Sequence, residues 1–479
     1  MPPIFRSVHL IILLYFCISY ASNNIQLLAY AVYFALLFNM AYAVLQFKKR
    51  FVFLCFNLTF FTFLVSQMML SDLKLSSSFE QIFTSNFSDE IKMHIFSCLF
   101  LSLISVFWGY HYCENKQHRK HYQTYNFTGN KILKLREISK KFMYFFLIFA
   151  FIENLEKAFH VQQAGYESYY TDFHSQLPFF VFRLAHFYEL CVFLFLATLP
   201  PKKEVIKPLV IFFAIGCMSM GYGQRNGFVL NALFVAIYFV FRDFKKFYGA
   251  KDVWITRKLK YFVILGVPFL LIFLVVFGAA RVNEKVDANL GVMDLILGFF
   301  YTQGTSYRII GYDIEFANQF PSSFPYSLGY FVDLYQQNYF FKLLGVYPTY
   351  ESHTMEAALY GHNYGDVITY LFNSTAYLNG AGLGSCYIAE IYHDFRFFGV
   401  IVLNMLYGVI MASLNRYALK SVWTLFLFFC VILNVLYAPR AAALTFLSEI
   451  VTISFILFFF VMKNIYNKHE NRTYSIQKE

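Results

Sequence analysis

Apolar runs of roughly 15–23 residues recur from one end of the chain to the other, and a run of that length crosses a hydrocarbon core about 30 Å thick. The runs are continuous and do not alternate. Inside lipid only helices then satisfy every backbone N–H and C=O, and the period-2 pattern of a membrane β-barrel is not what is written here. Charge is correspondingly scarce, with 14% charged residues against 22% aromatic ones in 479, where a soluble domain carries about 25% charged. The expected fold class is all-α, a polytopic integral membrane protein of about twelve transmembrane helices (eleven to thirteen). They are placed at 8–20, 25–46, 51–70, 93–110, 142–160, 177–199, 208–223, 227–241, 261–280, 397–413, 422–437 and 445–462.

In a soluble chain the net charge of +11 would point to nucleic acid. Here no nucleic-acid partner is expected, because the cations collect on one side of the membrane. With the N-terminus inside, cytoplasmic segments carry 28 Lys and Arg, and external ones carry 8 (Lys74, Arg225, Arg281, Lys285, Arg308, Lys342, Arg396 and Arg440). Both termini are therefore expected in the cytoplasm. The first run is short and followed by "ISYAS", as in a signal peptide. The next run starts within five residues, so the first is taken as a retained helix. Of eight cysteines only Cys386 falls outside, which excludes an external disulfide scaffold.

No internal repeat divides the chain, unlike many transporters. Most external loops are tiny: "SNN" at 22–24, "QRN" at 224–226, "APRAA" at 438–442. The exception is 281–396, rich in Tyr, Gly, Asn and Asp. The expected organisation is 1–280 with nine helices, 281–396 as one large external loop, and 397–479 with three helices and a cytoplasmic tail. Within the loop, "NLGVMDLILGFFYTQGTSYRIIGYDIEF" and "TMEAALYGHNYGDVITYLFNSTAYLNG" read as short amphipathic helices on the outer face. A loop this long in an otherwise economical chain is usually functional.

External arginines outnumber external lysines five to three, and arginine binds phosphate bidentately while staying charged at an interface. Arg225, Arg281, Arg396 and Arg440 lie at or near outer helix ends, where snorkelling to lipid headgroups is the alternative role. Arg225 and Arg440 each sit alone in a minimal turn. Candidate general bases cluster twice. "GSCYIAEIYHDFRFFG" brings Glu390, Tyr392, His393, Asp394 and Arg396 just ahead of a helix, and "ESHTMEAALYGHNYGD" brings Glu351, His353, Glu356, His362 and Asp366. A solvated hydrogen-bonding loop is the plainer account of most of these. Within helices, Glu153, Glu156, His160, Arg183, His186, Glu189 and Glu449 should face the bundle interior, as ion pairs or as a polar cavity lining. No metal-ligand spacing, external Asp-x-Asp pair, Walker loop, GxSxG or dinucleotide fingerprint occurs, so neither a metal nor another cofactor is expected.

Several stretches resemble a known family, the O-antigen and oligosaccharide repeat-unit polymerases of bacterial cell envelopes (the Wzy type). "GQRNGFVLNALF" resembles its G-x-R-x-G-like turn opening an apolar helix. "AARVN" resembles the arginine where the big loop begins, "GLGSCYIAEIYHDFRFFGVIVLNMLYGVI" the stretch that ends it, and "APRAA" a late arginine turn. Arg396 is a departure, at a place where many relatives are uncharged. The resemblance implies a multi-pass protein of the bacterial inner membrane with its site on the outer face. There it would join oligosaccharide repeat units carried on undecaprenyl diphosphate, the growing chain as donor and a single unit as acceptor. Membrane lipids, a chain-length regulator and a flippase are the implied partners. Arg225, Arg281, Arg440 and Arg308 would hold the substrate diphosphate without a metal, and Glu390, His393 and Asp394 are the catalytic candidates. The nearest alternatives are an O-antigen ligase and a lipid-linked oligosaccharide flippase or other transporter. A protein-mannosyl-type transferase is disfavoured by the three-residue first external loop, and a membrane acyltransferase because no histidine is convincing as a catalytic residue embedded at mid-membrane.

Overall fold

The computed structural model describes residues 3–73, 87–117, 127, 129–166, 168–171, 173–245, 253–281, 290–321, 325–336, 344–345 and 350–476. Lys74, Lys285 and Lys342, three of the external cations, lie outside the described residues, as does the side chain of Arg281.

The described chain is helical, without strands. In order the helices are α1 (Pro3–Ala21), α2 (Ile25–Val44), α3 (Phe51–Phe60), a π-helical turn (Phe61–Val65), α4 (Ser66–Asp72), α5 (Asp89–Gln117), α6 (Asn130–Ala164), α7 (Phe179–Ala197), α8 (Lys202–Met218) and α9 (Asn226–Lys245). There follow α10 (Arg257–Arg281), α11 (Val292–Gln303), α12 (Tyr307–Glu315), α13 (Tyr326–Gln336), α14 (Met355–Tyr360), α15 (Tyr364–Phe372), α16 (Ser374–Leu378), α17 (Tyr387–Tyr417), α18 (Val422–Tyr437) and α19 (Ile453–Ile476). Among the described residues nine helices are long and apolar enough to cross a membrane, or ten if the bent pair Thr445–Val451 and Ile453–Lys468 is one span. Each of the twelve expected segments falls mostly on helix, with 445–462 broken at Thr452. Apart from the bent pair, two expected spans are not among the nine: 8–20, whose apolar part Phe5–Ala21 is shorter than the others, and 142–160, inside α6, which carries Glu153, Glu156 and Lys157.

The chain divides into two compact units. The first comprises Met1–Gln117, Lys258–Ser413 and Asn434–Thr445. Its α5 and α17 touch through backbone, because Gly109 faces the Met405 carbonyl and Gly408 the Val106 carbonyl, where any Cβ would collide. Small residues permit such close helix crossings in lipid. Polar side chains lock the same seam: Asn404 donates to Ser102 Oγ at 3.1 Å, and Tyr387 donates to Asn404 at 2.7 Å. At the ends of α2, α3 and α5, Arg50 and Lys49 meet Glu114 at 2.9 and 3.1 Å.

The second unit comprises His118–Arg257, Leu414–Leu433 and Phe446–Glu479. Its cations do more than meet solvent. Arg136 donates to the Thr198 hydroxyl and carbonyl, and fully buried Arg242 to the Pro200 carbonyl, which fixes the α7–α8 turn. The charges inside the helices are used locally. Lys157 pairs with Glu153 one turn away at 2.6 Å, Glu156 accepts the N–H groups of Gln176 and Leu177 ahead of α7, and His186 lies 3.8 Å from Glu449. Arg183 covers the Phe179 ring.

The two stretches read as amphipathic pieces do fold as short helices, α11 with α12 and α14 to α16. The helix expected from 397 starts ten residues earlier, at Tyr387. It is broken at Arg396, whose φ of 54° and ψ of −154° are not helical. The polar residues at 390–396 read as loop, but each finds its partners inside the fold, so helix formation is not opposed by unmet polar groups.

Candidate active site

In the second unit, Arg225 stands at the head of α9 in a hairpin turn stitched by its own backbone. The Gln224 N–H donates to the Ser219 carbonyl, the Ser219 hydroxyl to the Gln224 carbonyl at 2.8 Å, and Gly223 takes φ 81° to close the turn. Tyr222 and Tyr170 bracket the turn through Asn154 and the Gln224 amide. Arg225 is half-buried.

The remaining candidates belong to the first unit, where two of the four arginines converge on one helical segment. Arg440, in the turn after α18, donates to Gln303 Oε1 at 3.0 Å and lies over the Phe63 ring. Arg308, in the first turn of α12, donates to Gln67 Oε1 at 3.0 Å. Phe63 is in the π-helical turn and Gln67 lies four residues on, in α4, so the two guanidiniums dock on adjacent turns. The α11–α12 junction is pressed onto that segment. The Ser306 N–H donates to the Phe63 carbonyl at 3.1 Å, and Ser66 donates to the Phe300 carbonyl at 2.7 Å. Among the described residues neither Arg308 nor Arg440 is paired with a carboxylate. Arg281 is the last residue of α10.

The three catalytic candidates lie at i, i+3 and i+4 on α17, one face of the helix, and have different surroundings. Glu390 is buried; it accepts the Ala443 N–H at 2.7 Å and the Ser385 hydroxyl, and so ties α17 to the stretch three residues beyond Arg440. Asp394 accepts two backbone N–H groups, from Tyr326 at 2.9 Å and Ser327 at 2.7 Å, and so caps α13. Only His393 has a ring nitrogen not engaged in holding backbone. Its Nδ1 lies 2.7 Å from Asp313 Oδ1, and Phe320, Tyr326 and Tyr364 surround the ring. The second expected base cluster is dispersed: Glu351 and Glu356 are exposed and His353 is bound to the Tyr377 carbonyl.

Asp313, Gln67 and Gln303 are absent from the sequence expectations. A signal for Asp313 exists, because it lies three and four residues after Ile310 and Ile309 on the buried face of α12. Gln67 is an amide inside an apolar run. Among the described residues no group of three or more His, Cys, Asp or Glu side chains is arranged to hold a metal ion.

Comparison with known proteins adds one match. Residues 4–470, nearly the whole chain, match the family model described as O-antigen polysaccharide polymerase Wzy. No curated protein and no solved structure matches.

Proposed function

The chain belongs to the O-antigen polysaccharide polymerase Wzy family, a family of glycosyltransferase-type polymerases, and from that premise we propose that it joins undecaprenyl-diphosphate-linked repeat units on the outer face of the bacterial inner membrane. The observation that carries this reading is the docking of Arg308 and Arg440 on one segment, each aimed by a glutamine oxygen and, among the described residues, neither neutralised by a carboxylate. Two oriented guanidiniums form a receptor for a diphosphate, whose charge grows as it leaves. Arg281, in the same unit at the end of α10, is a further diphosphate contact in this scheme.

The base is His393, since Glu390 and Asp394 are occupied by backbone donors. Arg308 and Asp313, which touches His393, are five residues apart on α12, about 7.5 Å of helix rise. That spacing suits a leaving diphosphate at one end and an attacking hydroxyl at the other. The hydroxyl oxygen of the acceptor bonds to the anomeric carbon, the bond from that carbon to phosphate oxygen breaks, and the lipid diphosphate departs.

Purified protein supplied with lipid-linked repeat units in detergent is expected to build a polymer ladder. Arg308→Ala and Arg440→Ala, expressed and folded, are expected to lose it. Wild-type ladders in both variants would refute the diphosphate site, and lipid crossing liposomes without any ladder would refute the polymerase.

A further inference from the structure

His393 and Asp313 come from different helices, yet a single carboxylate oxygen organises both the imidazole and a tyrosine. Asp313 Oδ1 lies 2.7 Å from His393 Nδ1 and accepts the Tyr364 hydroxyl at 2.9 Å. Asp313 is fully buried, and among the described residues its Oδ2 has no hydrogen-bond partner. A carboxylate in such a place is costly to hold, and an idle oxygen makes it more so. Packing alone gives no reason for it. Burial, with Asp313 alongside, holds the Tyr364 hydroxyl well above the ordinary tyrosine range, so it stays a donor.

The geometry also fixes which face of the imidazole is usable. With Nδ1 committed to the buried carboxylate, a neutral ring carries its proton on Nδ1 and keeps its lone pair on Nε2. The His393 side chain retains 17% exposure although Asp313 has none. Phe320, at 4.4 Å between centroids, and Tyr326, at 5.2 Å, wall the ring. The Tyr326 hydroxyl is buried there without a hydrogen-bond partner among the described residues. The titratable groups around the imidazole are thus Asp313 from α12, Tyr326 from α13 and Tyr364 from α15, with Glu390 and Asp394 on its own helix.

Resting on the polymerase reading above, we infer that Asp313 is a positioning residue that holds His393 as the Nδ1–H tautomer, so that Nε2 takes the proton of the attacking sugar hydroxyl. The proton passes from that hydroxyl to Nε2 as its oxygen bonds to the anomeric carbon, and the electron pair of the broken carbon–oxygen bond leaves on the lipid diphosphate. Asp313 stabilises the resulting imidazolium, which then releases the proton to water.

The test measures initial rates of ladder formation by the full-length protein with lipid-diphosphate-linked repeat units. Asp313→Asn is expected to slow it about 10²–10⁴-fold, the range of general-base catalysis, and His393→Ala to slow it as much. Because Asp313 acts through His393, the double variant is expected to be no slower than His393→Ala alone. Multiplying losses, or an Asp313→Asn protein at the wild-type rate, would overturn the inference while leaving the polymerase intact. A wild-type protein that builds no ladder overturns both. Where Asp313→Asn does not fold, nitrogen NMR of the wild-type protein decides. The His393 signal, identified by its loss in His393→Gln, is expected from the Nδ1–H tautomer, and an Nε2–H tautomer overturns the inference.

Discussion

At position 396 the backbone takes φ 54° and ψ −154°, a region that glycine occupies freely and other residues enter at about 1–3 kcal/mol. The residue there is arginine, its guanidinium 5.4 Å from the Tyr392 ring centroid. Removing the side chain in two ways separates these terms. Arg396→Ala loses the ring contact and keeps the strained backbone, whereas Arg396→Gly loses the same contact and relieves it. Thermal unfolding is expected to rank Gly above Ala by about 1 kcal/mol once glycine's extra chain entropy is subtracted; equal midpoints would mean the break costs nothing. Earlier in the same helix, two carboxylates offer a second contrast. Asp394→Asn presents an amide to two backbone donors and is expected to cost about 1 kcal/mol, like other lost caps. Glu390→Ala strands the buried Ala443 N–H and is expected to cost about 2 kcal/mol. In both, the polymerisation rate per folded molecule should hold. A hundred-fold slower rate at an unchanged midpoint would return that residue to the role of base.

Among the elements, the α11–α12 junction controls both arginine contacts, since Gln303 and Arg308 flank it. A Cβ on Gly304 would collide with Ser66 Oγ and the Gln67 backbone nitrogen. Gly304→Ala is therefore expected to push the junction off its seat, at an overpacking cost of about 1–3 kcal/mol. The ladder rate is expected to fall at least about tenfold through Arg308 and Arg440, neither of which is altered. A wild-type rate in this variant would uncouple the junction from the site. The seat itself contains the π-helical turn Phe61–Val65, a form that recurs at functional sites. Much of this lay beyond the sequence for a physical reason. The apolar runs and the arginine turns are local patterns, and they are legible. That Arg440 would meet Gln303, 137 residues earlier, is a tertiary contact with no local signature. The polar stretch at 390–396 was misleading, since carboxylates that cap distant backbone look the same in sequence as carboxylates in a wet loop. Asp313 was legible in principle, as a carboxylate on an apolar helical stripe.

For the whole molecule, helix direction constrains how many times the chain crosses the membrane. Along the α5–α17 seam, Ser102 meets Asn404 and Cys113 meets Ser413, so the two helices run the same way. Two parallel spans must start from the same face, which requires an odd number of crossings between them. Between α5 and α17 there are four strong candidates: Phe179–Ala197, Lys202–Tyr222, Asn226–Lys245 and Arg257–Ala280. Four is even, and we propose that α6 makes the fifth crossing despite its charges. Those charges suit the role, since Glu153 and Lys157 pair within the helix and Glu156 serves the backbone before α7. Neighbouring contacts keep the same alternation. α3 opposes α5, with Arg50 at Glu114 and Phe53 at Tyr110, and α6 opposes α7, with Arg136 at Thr198 and Phe146 at Phe187. The cation bias predicts the absolute sense, which puts Lys131 inside and Ser168 outside. In a cysteine-free background, Ser168→Cys is expected to react with an impermeant maleimide in intact spheroplasts, and Lys131→Cys only after permeabilisation. Reaction of both from one side would mean that α6 does not cross, and the parallel seam would then have to be built from helices that do not both span the bilayer.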